Sequence, residues 1–113
     1  MHEVSLMAQA LEVAIAQAQA HQAQHIHRLT LRIGTLSGVV PEALAFAFAA
    51  AIPGTIAEGA RLEVETVAAR CHCEQCDRDF QPQDWIYECP YCGQLSGQIL
   101  AGKDIELASL EVS

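Results

Sequence analysis

The 113-residue chain predicts an α+β fold: two helices packed on a three-stranded sheet, with a four-cysteine segment inserted between the second and third strands. Three observations predict it. Helical and alternating apolar periods succeed one another up to Ala69, a last alternating run closes the chain, and two CxxC pairs stand between them. Hydrophobic residues make up 51% of the chain, yet aromatics only 5%, and nineteen residues are alanine, which buries little area apiece. That balance fits one thin-cored domain with a small appendage and argues against a two-domain enzyme.

The elements follow in order. From Val4 to Gln24 apolar residues recur at Val4, Met7, Leu11, Ala14, Ile15 and Ala18, the three-and-four spacing of one buried helical face. Ile26 to Gly34 then alternates, with Leu29, Leu31 and Ile33 on one face and Arg28, Thr30 and Arg32 on the other, which predicts a half-buried strand. Gly34 to Gly38 turns the chain. Pro41 suits the first position of a second helix, which places Leu44, Phe48 and Ile52 on one face and stops at Pro53-Gly54. A second strand is predicted over Ala60 to Ala69 and a third over Asp104 to Val112. In the third the apolar parity shifts between Leu107 and Leu110, which predicts a bulge near Ala108 and Ser109. The inserted segment has its own composition, holding Phe80, Trp85, Tyr87 and Tyr91 of the six aromatics. The predicted organisation is therefore residues 1–70 plus 98–113 as one α/β domain and 71–97 as a metal-binding domain.

Charge and cysteine usage narrow the chemistry. Six Lys and Arg against fourteen Asp and Glu leave a net charge of −8, which repels phosphate backbones and anionic lipid and argues against nucleic-acid or membrane partners. The start Met1-His2-Glu3 carries no basic leader, and its apolar residues are interrupted by Gln and Glu, so neither a signal peptide nor a membrane span is expected. A cytoplasmic location, where thiolates persist as ligands, is the expectation.

Cys73-Glu-Gln-Cys76 and Cys89-Pro-Tyr-Cys92 are separated by twelve residues. Two residues between cysteines let both sulfurs of a turn reach one ion, and two such knuckles complete a tetrahedron, so a zinc-ribbon-like domain with structural Zn2+ on Cys73, Cys76, Cys89 and Cys92 is predicted. An insertion this short cannot bury enough area alone, whereas zinc adds on the order of 10 kcal/mol of folding free energy. Three other readings fit less well. The Cys-Pro-Tyr-Cys-Gly knuckle also looks like that of iron-binding rubredoxins, but with a much shorter gap. Five acidic residues and one basic one between Cys71 and Cys92 disfavour nucleic acid, and paired knuckles disfavour a redox dithiol, which needs one CxxC at a helix start. Cys71 reads as a bystander thiol, and His72 as a less favoured substitute ligand.

Met1-His2-Glu3 reads first as a frayed, solvated terminus with one ordinary imidazole, and beside that as a second candidate metal site. A free amine, the amide nitrogen of His2 and its ring Nδ1 close a five- and a six-membered chelate ring, and such nitrogen-rich donors suit Ni(II) or Cu(II). The first N–H groups of a helix have no intrahelical partners, so diverting one breaks no helix bond. Glu3 serves as a further ligand or as a counter-charge against the helix dipole. With bulky His2 second, Met1 is expected to be retained. His21 and His25, one helical turn apart, are a rival pair, read first as imidazoles favoured by a helix C-terminus, and His27 as a surface residue.

With both features in hand, the chain resembles the HypA/HybF family of hydrogenase-maturation nickel chaperones over essentially its full length. The resemblance rests on Met1-His2-Glu3 followed by Ser5-Leu6, on Arg32-Ile33-Gly34, on Ser37-Gly38-Val39-Val40-Pro41-Glu42-Ala43-Leu44, on the two CxxC pairs, and on Ile105-Glu106-Leu107. It implies Ni2+ transported at Met1, His2 and Glu3, structural Zn2+ on the four cysteines, and delivery with a HypB-type GTPase to the hydrogenase large subunit; some relatives also serve urease. Asp77 stands where a glycine commonly follows the first knuckle and Gln94 where a serine often follows the second, departures that bear on hydrogen bonding and leave the ligands in place. The implied activity is that of a carrier, not an enzyme. The rival from another class is a zinc-ribbon interaction module without metal transfer, and the sequence leaves the oligomeric state open.

Overall fold

A computed structural model of the protein describes residues 3–82 and 86–113; Met1, His2 and Trp85 lie outside the described residues. Helix α1 spans Glu3–Ala20 and buries Met7, Leu11, Ala14 and Ala18, the stripe that the period predicts. It stops short of Gln24 because Gln22 turns left-handed, at φ 61, and the Ala23 N–H reaches back to the Ala18 carbonyl at 2.9 Å. That 6→1 bond caps the helix in the Schellman manner, with glutamine where glycine is usual.

Strand β1 occupies Ile26–Gly34 with Leu29, Leu31 and Ile33 buried. Thr30, on the opposite parity, is buried as well. Helix α2, Pro41–Ala51, starts on proline and buries Leu44, Ala47 and Phe48, and the Ile52 N–H closes it onto the Phe48 carbonyl ahead of Pro53. Strand β2 is Arg61–Val67, shorter at both ends than the predicted run. Helices α1 and α2 pack on each other.

Three further strands lie within or beside the cysteine segment: β3 Arg70–Cys73, β4 Arg78–Phe80 and β5 Gln98–Ala101. With three or four residues each, they are too short for an alternation to announce them. Strand β6, Ile105–Val112, alternates half-buried and exposed residues until Leu107 and Ala108, which are half-buried in succession where the parity was expected to break.

The first sheet has the order β2-β1-β6. Its ends show that it is mixed. Thr35, just past β1, donates to the Val67 carbonyl that ends β2, so these strands run parallel, with α2 as the crossover. His25 exchanges both backbone hydrogen bonds with Ser113 while Gly34 donates to Asp104, so β6 runs antiparallel to β1. Across the exposed face Arg32 of β1 bridges Glu65 of β2 at 3.1 Å and Glu106 of β6 at 3.5 Å. The second sheet has the order β4-β3-β5, antiparallel throughout.

The chain divides into two compact units. One takes in Met1–Arg32, Gly38–Glu65 and Glu106–Ser113; the other takes in Ile33–Ser37 and Thr66–Ile105, so it holds the cysteine segment together with residues on both sides of it. In the second unit three backbone stretches meet closely. Leu36 N–H donates to the Gly102 carbonyl at 2.7 Å, Gly34 N–H to Asp104 at 2.9 Å, and Ala69 N–H to Thr35 Oγ1 at 3.1 Å. A Cβ on Gly34 would sit 2.0 Å from the Gly102 oxygen, and one on Gly102 would sit 2.5 Å from the Ala69 Cα.

Gly102 also holds φ +94, whereas Gly54 holds φ +80 with nothing within 4 Å of its would-be Cβ. Gly54→Ala should therefore cost only the left-handed penalty of about 1 kcal/mol, and Gly102→Ala at least about 3 kcal/mol, because backbone has to move as well. Thermal unfolding of the two variants checks this: Tm should fall by a few degrees in the first and by roughly 10 °C or more in the second. Equal losses would show that the close approach carries no weight.

Candidate metal centre

The first knuckle begins where β3 ends. Extended backbone puts Cys71 and Cys73 on the same face, both buried, with His72 on the other. After Cys73 the chain turns through Glu74, Gln75 and Cys76 into Asp77, which adopts φ 50, and re-enters β4 with Cys73 opposite Arg78. A left-handed residue after the knuckle fits the glycine that the resemblance leads one to expect there, and aspartate is among the side chains that tolerate it.

The second knuckle closes on itself. Cys89 N–H donates to the Gln94 carbonyl at 2.8 Å, and Gly93 N–H, at φ +79, donates to the Cys89 carbonyl at 2.9 Å. Tyr91 N–H points at Cys89 Sγ from 3.4 Å. Two side-chain contacts bring the halves together: the Arg78 guanidinium lies 3.7 Å above the Tyr91 ring, and Ser96 Oγ donates to the His72 carbonyl at 2.6 Å.

The four sulfurs of Cys73, Cys76, Cys89 and Cys92 lie within 4.8 Å of one another, with Cys73 to Cys92 at 3.5 Å and Cys76 to Cys89 at 4.0 Å. A tetrahedral ion with metal–sulfur bonds of about 2.3 Å needs its sulfurs about 3.8 Å apart. The donor set and its spacing therefore fit structural zinc with sulfur shifts of about 1 Å or less. Among the described residues it is the one convergence of three or more His, Cys, Asp or Glu donor atoms.

The electrostatics point the same way. Contact with Cys92 Sγ, then burial and the sulfurs of Cys73 and Cys89, push the Cys76 thiol up to about 12. Burial pushes Cys89 up, but the N–H groups of Tyr91 and Cys92 and the thiols of Cys92 and Cys73 outweigh it and bring it down to about 7. Cys92 is raised: the Gln94 N–H favours its thiolate, and burial with the Cys73 and Cys89 sulfurs outweighs that. Four thiolates cannot share so small a volume unless a cation neutralises them, so metal binding has to expel the protons they retain.

Cys71 and His72 stay outside the set. Cys71 is fully buried in the small core with Cys73, Phe80 and Cys89, and burial raises its thiol, which leaves it unreactive near neutrality. The ring of His72 is held between Asp79, 2.7 Å from Nδ1, and Asp77, 3.3 Å from Nε2, so both nitrogens face carboxylates. Its pairing with Asp79 follows from the register of β3 on β4, which no spacing in the sequence announces. Glu3 opens α1, half-buried in its first turn, while Met1 and His2 lie outside the described residues. His21 and His25 are not brought into any such convergence among the described residues.

Cys71→Ala should keep one equivalent of zinc and lose about 1–2 kcal/mol, whereas Cys73→Ala or Cys89→Ala should lose the ion. Because the metal-free cluster holds protons that the loaded one releases, affinity should drop as pH falls, by at least about tenfold per unit below neutrality. Zinc analysis of the variants and chelator competition at pH 6 and pH 8 check both. Retention of zinc by Cys73→Ala, or equal affinity at the two pH values, would contradict the four-thiolate site.

A family profile described as "Hydrogenase/urease nickel incorporation, metallochaperone, hypA" matches residues 1–112. A hydrogenase maturation factor HypA of a Picosynechococcus species is 55% identical over 112 residues, covering 99% of each chain. One from a Roseiflexus species is 44% identical over 112 residues, covering 98% of this chain and 91% of the relative. Among solved structures, the solution structure of the Ni metallochaperone HypA from Helicobacter pylori superposes with a TM-score of 0.74 over 99% of this chain and 97% of that one; at 24% identity it speaks for the fold alone. Its elements, its cysteine quartet and the full-length match lead to one conclusion: the chain belongs to the HypA family of hydrogenase/urease nickel-incorporation metallochaperones.

Proposed function

We propose that this chain carries Ni(II) for hydrogenase maturation, binding it at Met1, His2 and Glu3 and passing it, with a HypB-type GTPase, to the large subunit of a [NiFe]-hydrogenase. The observation that carries the reading is the four-sulfur convergence within a chain matched over residues 1–112 by the nickel-incorporation family. In this reading residues 71–97 are the zinc-binding domain, and residues 1–70 with 98–113 the nickel-binding one. Cys73, Cys76, Cys89 and Cys92 hold zinc, which supplies cross-links and no reaction. The protein works as a non-catalytic carrier in the cytoplasm.

The chemistry supports a division of labour between the two metals. Closed thiolate sites suit an ion that stays. The Met1 amine, the His2 amide nitrogen and the His2 ring offer few, exposed and protonatable donors, which suit an ion that leaves. Helix α1 begins at Glu3, so the neighbouring backbone N–H groups fall in the first turn, where no intrahelical acceptor competes for them. The Glu3 carboxylate offsets the repulsion between a cation and the positive end of the helix dipole. Acidification should release the ion, because imidazole and α-amine take up protons near pH 6.5 and about 8.

Nickel titration of untagged protein that starts at Met1 tests the reading. One tight Ni(II) equivalent should bind, and His2→Ala or residues fused ahead of Met1 should weaken it at least about a hundredfold while zinc content stays at one. Tight nickel binding that survives a blocked N-terminus would place the cargo site elsewhere. No tight nickel in the unblocked protein would favour a zinc-ribbon interaction module.

A further inference from the structure

A second cluster of nitrogen donors stands at the other end of α1. His25 and His27 flank Ile26 at the start of β1, so extended backbone turns both imidazoles to one side. Both residues are exposed, and their ring centroids lie 6.3 Å apart at an interplanar angle of 38°. Two imidazoles on one ion, each with a metal–nitrogen bond of about 2.0–2.1 Å and a ring radius near 1.2 Å, have centroids up to about 6.5 Å apart. At 6.3 Å the pair stands just inside that limit, a separation that fits nitrogens on nearly opposite sides of an ion; a tetrahedral pair would need the rings about 1 Å closer.

The fixation is specific. His25 N–H and C=O both bond to Ser113, at 3.0 Å each, and Ser113 Oγ lies 2.6 Å from His27 Nε2. With the proton on Nε2, the serine oxygen accepts it and the lone pair of His27 stays on Nδ1, free for an ion. This is the outer hydrogen bond that metal-bound histidines characteristically make, and it sets tautomer and ring orientation before the metal arrives. Glu111, two residues before Ser113, is held by Arg28 at 3.1 Å, so the carboxylate is committed to a guanidinium. The ligands offered are imidazole nitrogens, which suit Ni(II) or Cu(II) over Ca(II) or Mg(II).

We propose that His25 and His27, with Ser113 orienting His27, form a second and weaker transition-metal site, distinct from both the cysteine quartet and the N-terminus. An 18-residue helix, about 27 Å long, separates the Glu3 end of α1 from the Ala20 end, so one ion cannot serve both sites. With two protein nitrogens and water in the remaining positions the ion exchanges readily, which suits capture or staging. The site does not depend on the N-terminal reading; only its assignment to nickel as cargo rests on that reading.

The test uses the zinc-loaded full-length chain with a short extension ahead of Met1, so that the amine chelate is removed, titrated with Ni(II) and followed by calorimetry and by paramagnetic broadening of histidine ring signals. One further Ni(II) equivalent should bind, more weakly than at a free N-terminus, and His25 and His27 should broaden first. His25→Ala or His27→Ala should weaken it at least tenfold, Ser113→Ala two- to fivefold, and His21→Ala, which removes an imidazole from the same end of α1, less than twofold. Absence of the equivalent in the blocked protein, even broadening of all histidines including His72, or unchanged affinity in His27→Ala would each overturn the site. A failure of the N-terminal reading would appear separately, as tight nickel binding unaffected by His2→Ala in the unblocked chain.

Discussion

Four sulfurs within 4.8 Å of one another are the constraint on which the second compact unit depends. In that unit the buried cluster around the cysteines is Cys71, Cys73, Phe80 and Cys89, so two of its four members are themselves candidate ligands. Its strands run to three or four residues, and sheets of that size are marginal in water without a further cross-link. The apolar burial available is small, and the same sulfurs repel one another as thiolates. A tetrahedral cation resolves both difficulties at once, because it turns the repulsive quartet into four bonds and joins the two knuckles. Arg78 on Tyr91 and Ser96 on the His72 carbonyl also tie the knuckles, through partly exposed or single-bond contacts.

The base of that unit obeys a different rule, that of backbone against backbone. Gly34 and Gly102 approach until neither tolerates a Cβ, and Leu36, Thr35 and Ala69 complete the hydrogen bonds around them. Gly34 is the last residue of β1 and Gly102 lies between β5 and β6, so the stretch 33–37 belongs with the cysteine segment although it is far from it in sequence. This is the physical reason for the Arg32-Ile33-Gly34 signature: the glycine is needed for space, since its neighbours would occupy the position of a side chain.

What could be read from the sequence follows from where the information sits. Both ends of β1 and the start of α2 were legible, because alternation and Pro41 are local signals with steep penalties. The end of α1 was not, since its cap is Gln22 in a conformation usually marked by glycine, and nothing in the composition around it says stop. Strands β3 to β5 were illegible for want of length, and β3 pairs with residues as far along the chain as Ala101, opposite Arg70. The cysteine quartet was legible because CxxC spacing alone fixes which sulfurs share a turn. The engagement of His72 was not, because Asp79 reaches it only through the β3–β4 register, and neither was the His27 contact with Ser113, which spans 86 positions.

Thiolate and imidazole donors obey opposite demands, and that opposition gives the proposed carrier reading its chemical basis. Thiolates bind zinc and nickel alike, and for divalent ions affinity alone favours nickel less than copper and does not protect zinc from displacement. A carrier that presents soft sulfur beside its cargo donors would trap the cargo. Cys73 and Cys89 are buried, Cys76 is half-buried and Cys92 exposed, with Cys71 buried beside them, while every histidine except His72 stands exposed among the described residues. The net charge of −8 acts over both, raising the local concentration of any cation without choosing among them. In the proposed reading selection then falls to donor type: four converging sulfurs for the ion that holds the fold, and exposed nitrogen, which protons and partner ligands can compete for, for an ion in transit.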